Sequence, residues 1–72
     1  MKKVIKMENL ECANCAAKME AAIRKIDGVK EVSISFMLQK MTLEADNNVF
    51  DAVVEQAKKI CKKIEPDCTL KI

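Results

Sequence analysis

Apolar and polar positions alternate at the start of the chain, where Ile5 and Met7 interleave with Lys6 and Glu8 to predict a strand over Lys3–Met7. The following ENLECA has no helical period and reads as a loop that holds the first cysteine, Cys12. From Asn14 to Ile26 the apolar residues Ala16, Met19, Ala22, Ile23 and Ile26 recur at helical spacing, and Asp27-Gly28 supplies a stop. Strict alternation returns over Glu31–Phe36, with Val32, Ile34 and Phe36 on one face and Ser33 and Ser35 on the other. It resumes over Lys40–Ala45 through Met41, Leu43 and Ala45, so these two strands form a hairpin turned at Met37–Gln39, without an Asn-Gly turn signature. Asp46-Asn47-Asn48 offers N-cap residues to a second helix whose stripe is Phe50, Val53, Val54, Ala57, Ile60, Cys61 and Ile64. Pro66 ends that helix, and Cys68, Leu70 and Ile72 alternate in a last strand.

The order βαββαβ predicts an α+β fold of the ferredoxin-like kind: a four-stranded antiparallel sheet with both helices on one face, because each βαβ crossover returns over the same side. In that topology the loop holding Cys12, the turn near Gln39 and the segment Glu65–Asp67 gather at one end of the domain. That end is where a binding site is expected.

Length and composition narrow the function. With 72 residues the chain is expected to be a single domain, 1–72, and a domain this small buries only roughly 60% of its unfolded surface, which argues against a lidded catalytic cleft. The 13 Lys and Arg are scattered among 11 Asp and Glu, and the two aromatics, Phe36 and Phe50, fall on core faces. No nucleic-acid partner is therefore expected. The N-terminus lacks the continuous apolar run of a signal peptide, and no segment is apolar enough to insert in a bilayer. A cytoplasmic location follows as the expectation, and with it four reduced thiols rather than a disulfide framework.

Cys12 and Cys15 carry the candidate chemistry. Two residues separate them across a loop-to-helix junction, so both sulfurs can close on one ion. Cys15 falls in the first helical turn, where free backbone N–H groups and the dipole favour a thiolate, and its pKa is expected to be lowered. Small or polar Ala13 and Asn14 leave the loop accessible, as release to a partner requires, whereas a closed structural zinc site would need four ligands.

A Cys-x-x-Cys motif alone is shared with redox proteins and zinc knuckles; its position between a first strand and a first helix is more informative. MKKVIKMENLECANCAAKMEAAIRKIDGVKEVSISF resembles the heavy-metal-associated domain, found as soluble metallochaperones and as N-terminal modules of P1B-type metal-pumping ATPases. The family motif reads Gly-Met-x-Cys-x-x-Cys. Cys12 and Cys15 match its two ligand cysteines, Gly28-Val29 matches its helix-ending pair, and Asn9 and Leu10 depart from the Gly-Met. Leu10 is expected to take over the packing of the family's Met. The resemblance implies a metal ion as ligand, and as partners the other domains of a metal-transporting ATPase or a cognate metallochaperone, with the domain itself a monomer and no enzyme. The same resemblance leaves open a role as the cytosolic N-terminal part of a membrane pump, and delivery or regulation of that pump by metal.

Metal preference turns on carboxylates. Copper(I) is satisfied by two thiolates, whereas zinc, cadmium and lead want further ligands, and Glu11 beside Cys12 can supply one. The zinc, cadmium and lead branch of the family often carries an acid there, and the copper carriers' Lys or Tyr after the second helix is replaced by Glu65-Pro66-Asp67. Zn(II), Cd(II) or Pb(II) is thus expected ahead of Cu(I), with a Cu(I) metallochaperone as the alternative and a thiol oxidoreductase a more distant one. Cys68, at the start of the last strand, is a further candidate thiolate, but like Cys61 it lies on an apolar face where a free cysteine usually packs as a small hydrophobe. The spacing of Met7, Met19 and Met41 follows core faces in the same way, whereas Met37 sits in the turn near the site.

Overall fold

The structure is a computed structural model that describes residues 1–71. Its elements are β1 (Lys2–Glu8), α1 (Ala13–Arg24), β2 (Val29–Ser35), β3 (Lys40–Ala45), α2 (Phe50–Ile64) and β4 (Thr69–Lys71), arranged in one antiparallel sheet of order β2-β3-β1-β4. This is the ferredoxin-like fold. Strand alternation sets the register: Ile5 lies opposite Met41, which lies opposite Ile34, and Val32 lies opposite Leu43. These side chains form rows across the sheet face that Met19 and Ile23 of α1 and Phe50, Val53, Val54, Ala57 and Cys61 of α2 cover. Met7, Met19 and Met41 are buried in that core, as their spacing predicts. Ile72, placed by the sequence pattern in the last strand, lies outside the described residues; β4 itself begins at Thr69, with Cys68 just before it.

Three helix boundaries differ from expectation. The first helix starts at Ala13, one residue early, with Cys12 as its N-cap. It closes by tight bonds in which the Lys25 and Ile26 N–H groups donate to Ala22 and Ile23, leaving Ile26 past the last turn. The second helix is not capped by Asp46, Asn47 or Asn48. Val49 holds the cap position and no side chain caps the helix. Packing explains this: Val49 lies against the core, Asp46 pairs with Lys30 at 3.2 Å, and the Val49 N–H closes a backbone turn onto the Asp46 carbonyl at 3.1 Å. The chain thus enters α2 on an apolar residue wedged beside Gly28.

Topology brings three connections to one end. The Leu10 N–H donates to Gln39 Oε1 (3.0 Å) and the Glu11 N–H to Glu65 Oε1 (3.2 Å), so the loop before α1 touches both the β2–β3 turn and the segment after α2. Among the described residues no helix is long and apolar enough to cross a membrane.

Candidate metal centre

Cys12 has extended backbone angles (φ −129°, ψ 116°) and its Sγ accepts the Cys15 N–H at 3.2 Å, while its carbonyl accepts the Ala16 N–H. A thiol sulfur here does what a serine or aspartate oxygen does at other helix starts. The consequence is that both sulfurs are gathered over the first turn of α1, each half-buried and free of disulfide bonding.

The two thiols differ in acidity, and in the sense opposite to the sequence expectation. Hydrogen bonds from the Cys15 thiol and the Cys15 N–H, joined by the Asn14 N–H, hold Cys12 below its usual value against burial and the Glu65 charge. Cys15 is pushed up to about 11, chiefly because its S–H donates to Cys12, and then by burial, the Cys12 charge and the Glu65 carboxylate, with Lys18 opposing. The correction follows from the helix start: with Cys12 at the cap, the free N–H groups converge on its sulfur rather than on Cys15.

Leu10 is buried, packed under the loop as expected, and Asn9 takes a left-handed conformation (φ 62°) that asparagine tolerates far better than most residues. This resolves the departure at Asn9: it supports a positive φ without glycine. Gln39 braces the loop from the hairpin turn, its Oε1 accepting the Leu10 N–H (3.0 Å) and its Nε2 donating to the Leu10 carbonyl (2.6 Å).

The carboxylate whose charge the thiols feel belongs to Glu65. Its Oε1 accepts the Glu11 N–H, and its Oε2 is buried without a hydrogen-bond partner. Glu11 meets it through its backbone, and the residue is exposed. Among the described residues no three Cys, Asp or Glu side chains are grouped so as to hold a metal ion; the two thiols are gathered together, and Glu65 is linked to them through its charge and through its bond from the Glu11 N–H. In the sequence alone Glu65 falls at this end and stands only as the loss of a copper-carrier residue. Its position immediately before the helix-ending Pro66, in a segment that the topology carries to the loop, was the available signal.

Cys61 and Cys68 are in the core, 1% and 2% exposed. Burial pushes the Cys61 thiol up to about 12, with the Cys68 charge adding to it; burial and then the Glu65 charge raise Cys68. Met37 is 87% exposed at the hairpin turn, beside Leu38 at 68%.

A Cys-x-x-Cys pair at a β1–α1 junction of this fold coincides with a match to the heavy-metal-associated domain over residues 4–67. The chain belongs to that family. It is 40% identical over 52 residues to the zinc/cadmium/lead-transporting P-type ATPase of Escherichia coli, covering 72% of this chain but 7% of that protein. It is 31% identical over 64 residues to the copper chaperone CopZ of Enterococcus hirae, covering 89% of this chain and 86% of the chaperone. Among solved structures, the N-terminal domain of a potential copper-translocating P-type ATPase from Bacillus subtilis in the Cu(I)-loaded state superposes with a TM-score of 0.77 at 30% identity, over 99% of this chain and 84% of that one. The chain thus spans a small fraction of its transporter relative and most of its chaperone relative. This heavy-metal-associated domain is a metal-binding module related both to metal-transporting ATPases and to metallochaperones.

Proposed function

We propose that this heavy-metal-associated domain captures a divalent soft or borderline ion, Zn(II), Cd(II) or Pb(II), between Cys12 and Cys15 and passes it to, or regulates with it, a metal-transporting ATPase. The observation that carries the reading is the gathering of two thiols over one helix turn, within reach of the charge of Glu65, one of whose carboxylate oxygens is buried and unpartnered. Two thiolates balance a divalent charge, and a carboxylate extends the shell that such ions seek beyond two sulfurs. Glu65 therefore joins Glu11 as a candidate oxygen ligand, and it is the one whose charge reaches both sulfurs. The zinc/cadmium/lead transporter of E. coli among the relatives supports the same metal class. Cys68 packs in the core and is left out of the ligand set. The domain acts in the cytoplasm as a monomer, its partner is a transporter domain or a chaperone bearing a similar thiol pair, and the ion moves by stepwise thiolate exchange with no covalent chemistry catalysed.

The second reading, a Cu(I) chaperone, draws on the CopZ relative and the Cu(I)-loaded neighbour. Competition of Zn(II), Cd(II) and Pb(II) against Cu(I) for the reduced protein separates the two. Cys12→Ala and Cys15→Ala are expected to abolish tight binding. Glu65→Gln is expected to weaken Cd(II) by about tenfold, the scale on which groups supporting a metal shell act, and to leave Cu(I) unchanged, with a smaller effect from Glu11→Ala. Tight Cu(I) binding with indifference to both carboxylates would establish the copper reading instead.

A further inference from the structure

Gln39 is the most heavily hydrogen-bonded side chain at the metal end. Its carboxamide satisfies both backbone groups of Leu10 across 29 residues of sequence, accepting the N–H at 3.0 Å and donating to the carbonyl at 2.6 Å, and it donates also to Phe36 O at 2.9 Å within its own turn. The Gln39 carbonyl accepts the Met7 N–H as well, at 2.7 Å. These bonds are made from a backbone position at φ 54°, in the left-handed region where glycine or asparagine is the easy choice and a longer side chain is held at a conformational cost. The other non-glycine residue with positive φ among the described residues is Asn9, immediately before Leu10. Two left-handed backbone positions thus stand on either side of one amide clamp, and at Gln39, which lacks asparagine's tolerance, strain of this kind persists where the surroundings over-determine it. A turn that only had to connect β2 to β3 would gain from glycine at position 39.

We infer that Gln39 is a positioning residue of the metal centre. Its amide fixes the Leu10 backbone, and two residues later the chain must deliver Cys12 to the helix cap with its sulfur on the Cys15 N–H and the Glu11 N–H on Glu65. With Leu10 released, the Cys12 sulfur loses its fixed place over α1 and its fixed approach to the Glu65 carboxylate. The inference rests on the reading of Cys12 and Cys15 as ligands and adds a residue, distant in sequence, that sets their geometry.

Gln39→Gly removes the amide and also the conformational cost at φ 54°, so the loss of its hydrogen bonds is offset in part by relief of the backbone. Release of Cd(II) from the full chain to an excess of chelator, followed by the thiolate-to-metal absorption band, is expected to be about tenfold faster in Gln39→Gly than in the unmodified protein, at a temperature well below the unfolding midpoint of both metal-free forms, so that global unfolding does not set the rate. Amide exchange at Cys15, which reports its bond to the Cys12 sulfur, is expected to quicken in the same variant. The control is Ser35→Ala, which removes the other side-chain bond of the turn, the Leu38 N–H to Ser35 Oγ, without touching Leu10; release should stay at the unmodified rate. If the unmodified chain gives no cysteine-dependent Cd(II) band, the metal reading has failed and takes this inference with it. If the band is present and Gln39→Gly releases Cd(II) at the unmodified rate, or Ser35→Ala speeds release equally, the inference alone is overturned.

Discussion

At the residue scale, the two cysteines of the motif are chemically unequal because one is a cap and the other sits in the first turn. Cys12 receives N–H and S–H donors and is the readier thiolate, whereas Cys15, at about 11, holds its proton at neutral pH. Peptide mapping after brief treatment with iodoacetamide should find Cys12 labelled well ahead of Cys15, since the thiolate is the nucleophile. Cys15→Ala should slow labelling of Cys12 by removing its S–H donor; faster labelling of Cys15 would contradict the assignment. Buried Cys61 makes a separate prediction. Its pKa is raised from 9.0 to about 12 in the folded chain, so the folded state prefers the neutral thiol. Its contribution to stability is complete below pH 9.0 and is lost as pH climbs toward about 12. In urea unfolding over that window, Cys61→Val should show a shallower decline than the unmodified chain. That a helix start would favour a thiolate was legible from the motif; which thiol it favours was not, because a helix begun one residue later would have Ala13 at the cap and take the Cys12 sulfur off the first-turn N–H groups.

Elements were legible wherever one side-chain period ran unbroken. The alternation of Val32, Ile34, Met41 and Leu43 placed β2 and β3 to within two residues, and the stripe from Phe50 to Ile64 matches α2. Ends were less legible, since tertiary contacts decide them: a polar run before α2 looks like a cap until Val49 is drawn inward and Asp46 is taken by Lys30. The same junction explains Gly28. It sits at φ 97°, and a Cβ built there would lie 2.8 Å from Val49 Cγ2, so the α1–β2 turn and the start of α2 approach each other only because that position lacks a side chain. Gly28→Ala should therefore destabilise the domain by about 1–2 kcal/mol from backbone conformation, and by more where Val49 cannot yield. Val49→Ala placed on top of Gly28→Ala should recover part of the loss by removing the methyl in the way. A double variant no more stable than Gly28→Ala alone would show that the contact contributes nothing. On α1, Arg24 pairs with Glu20 at 3.2 Å and donates to the Val32 carbonyl at 3.4 Å, while Glu20 accepts the Ile34 N–H at 2.8 Å. Arg24 thus holds helix to strand.

At the scale of the whole molecule, the topology read from the sequence was enough to say that three connections meet at one end, but not which side chains would join them. Gln39 and Glu65 are polar residues in unremarkable contexts, and their reach to Leu10 and Glu11 exists only once β1, β3 and α2 are in place. The end so built holds one thiol lowered in pKa and one raised, and on the proposed reading capture by both sulfurs must expel the second proton whichever metal arrives. With Cys15 raised to about 11, its use as a ligand is expected to release at least one proton per ion bound at neutral pH, and release from one group makes affinity climb by about tenfold per pH unit. Cd(II) titrations in buffers of different ionisation enthalpy should return one proton or more per ion between pH 6 and 8, values chosen to lie roughly within the range where a thiol of ordinary pKa is still protonated. Cys15→Ala should lower that count along with the affinity. Uptake that releases no proton, at an affinity flat with pH, would mean that Cys15 is not displaced from its S–H bond to Cys12, and the ion would then have to be held without it.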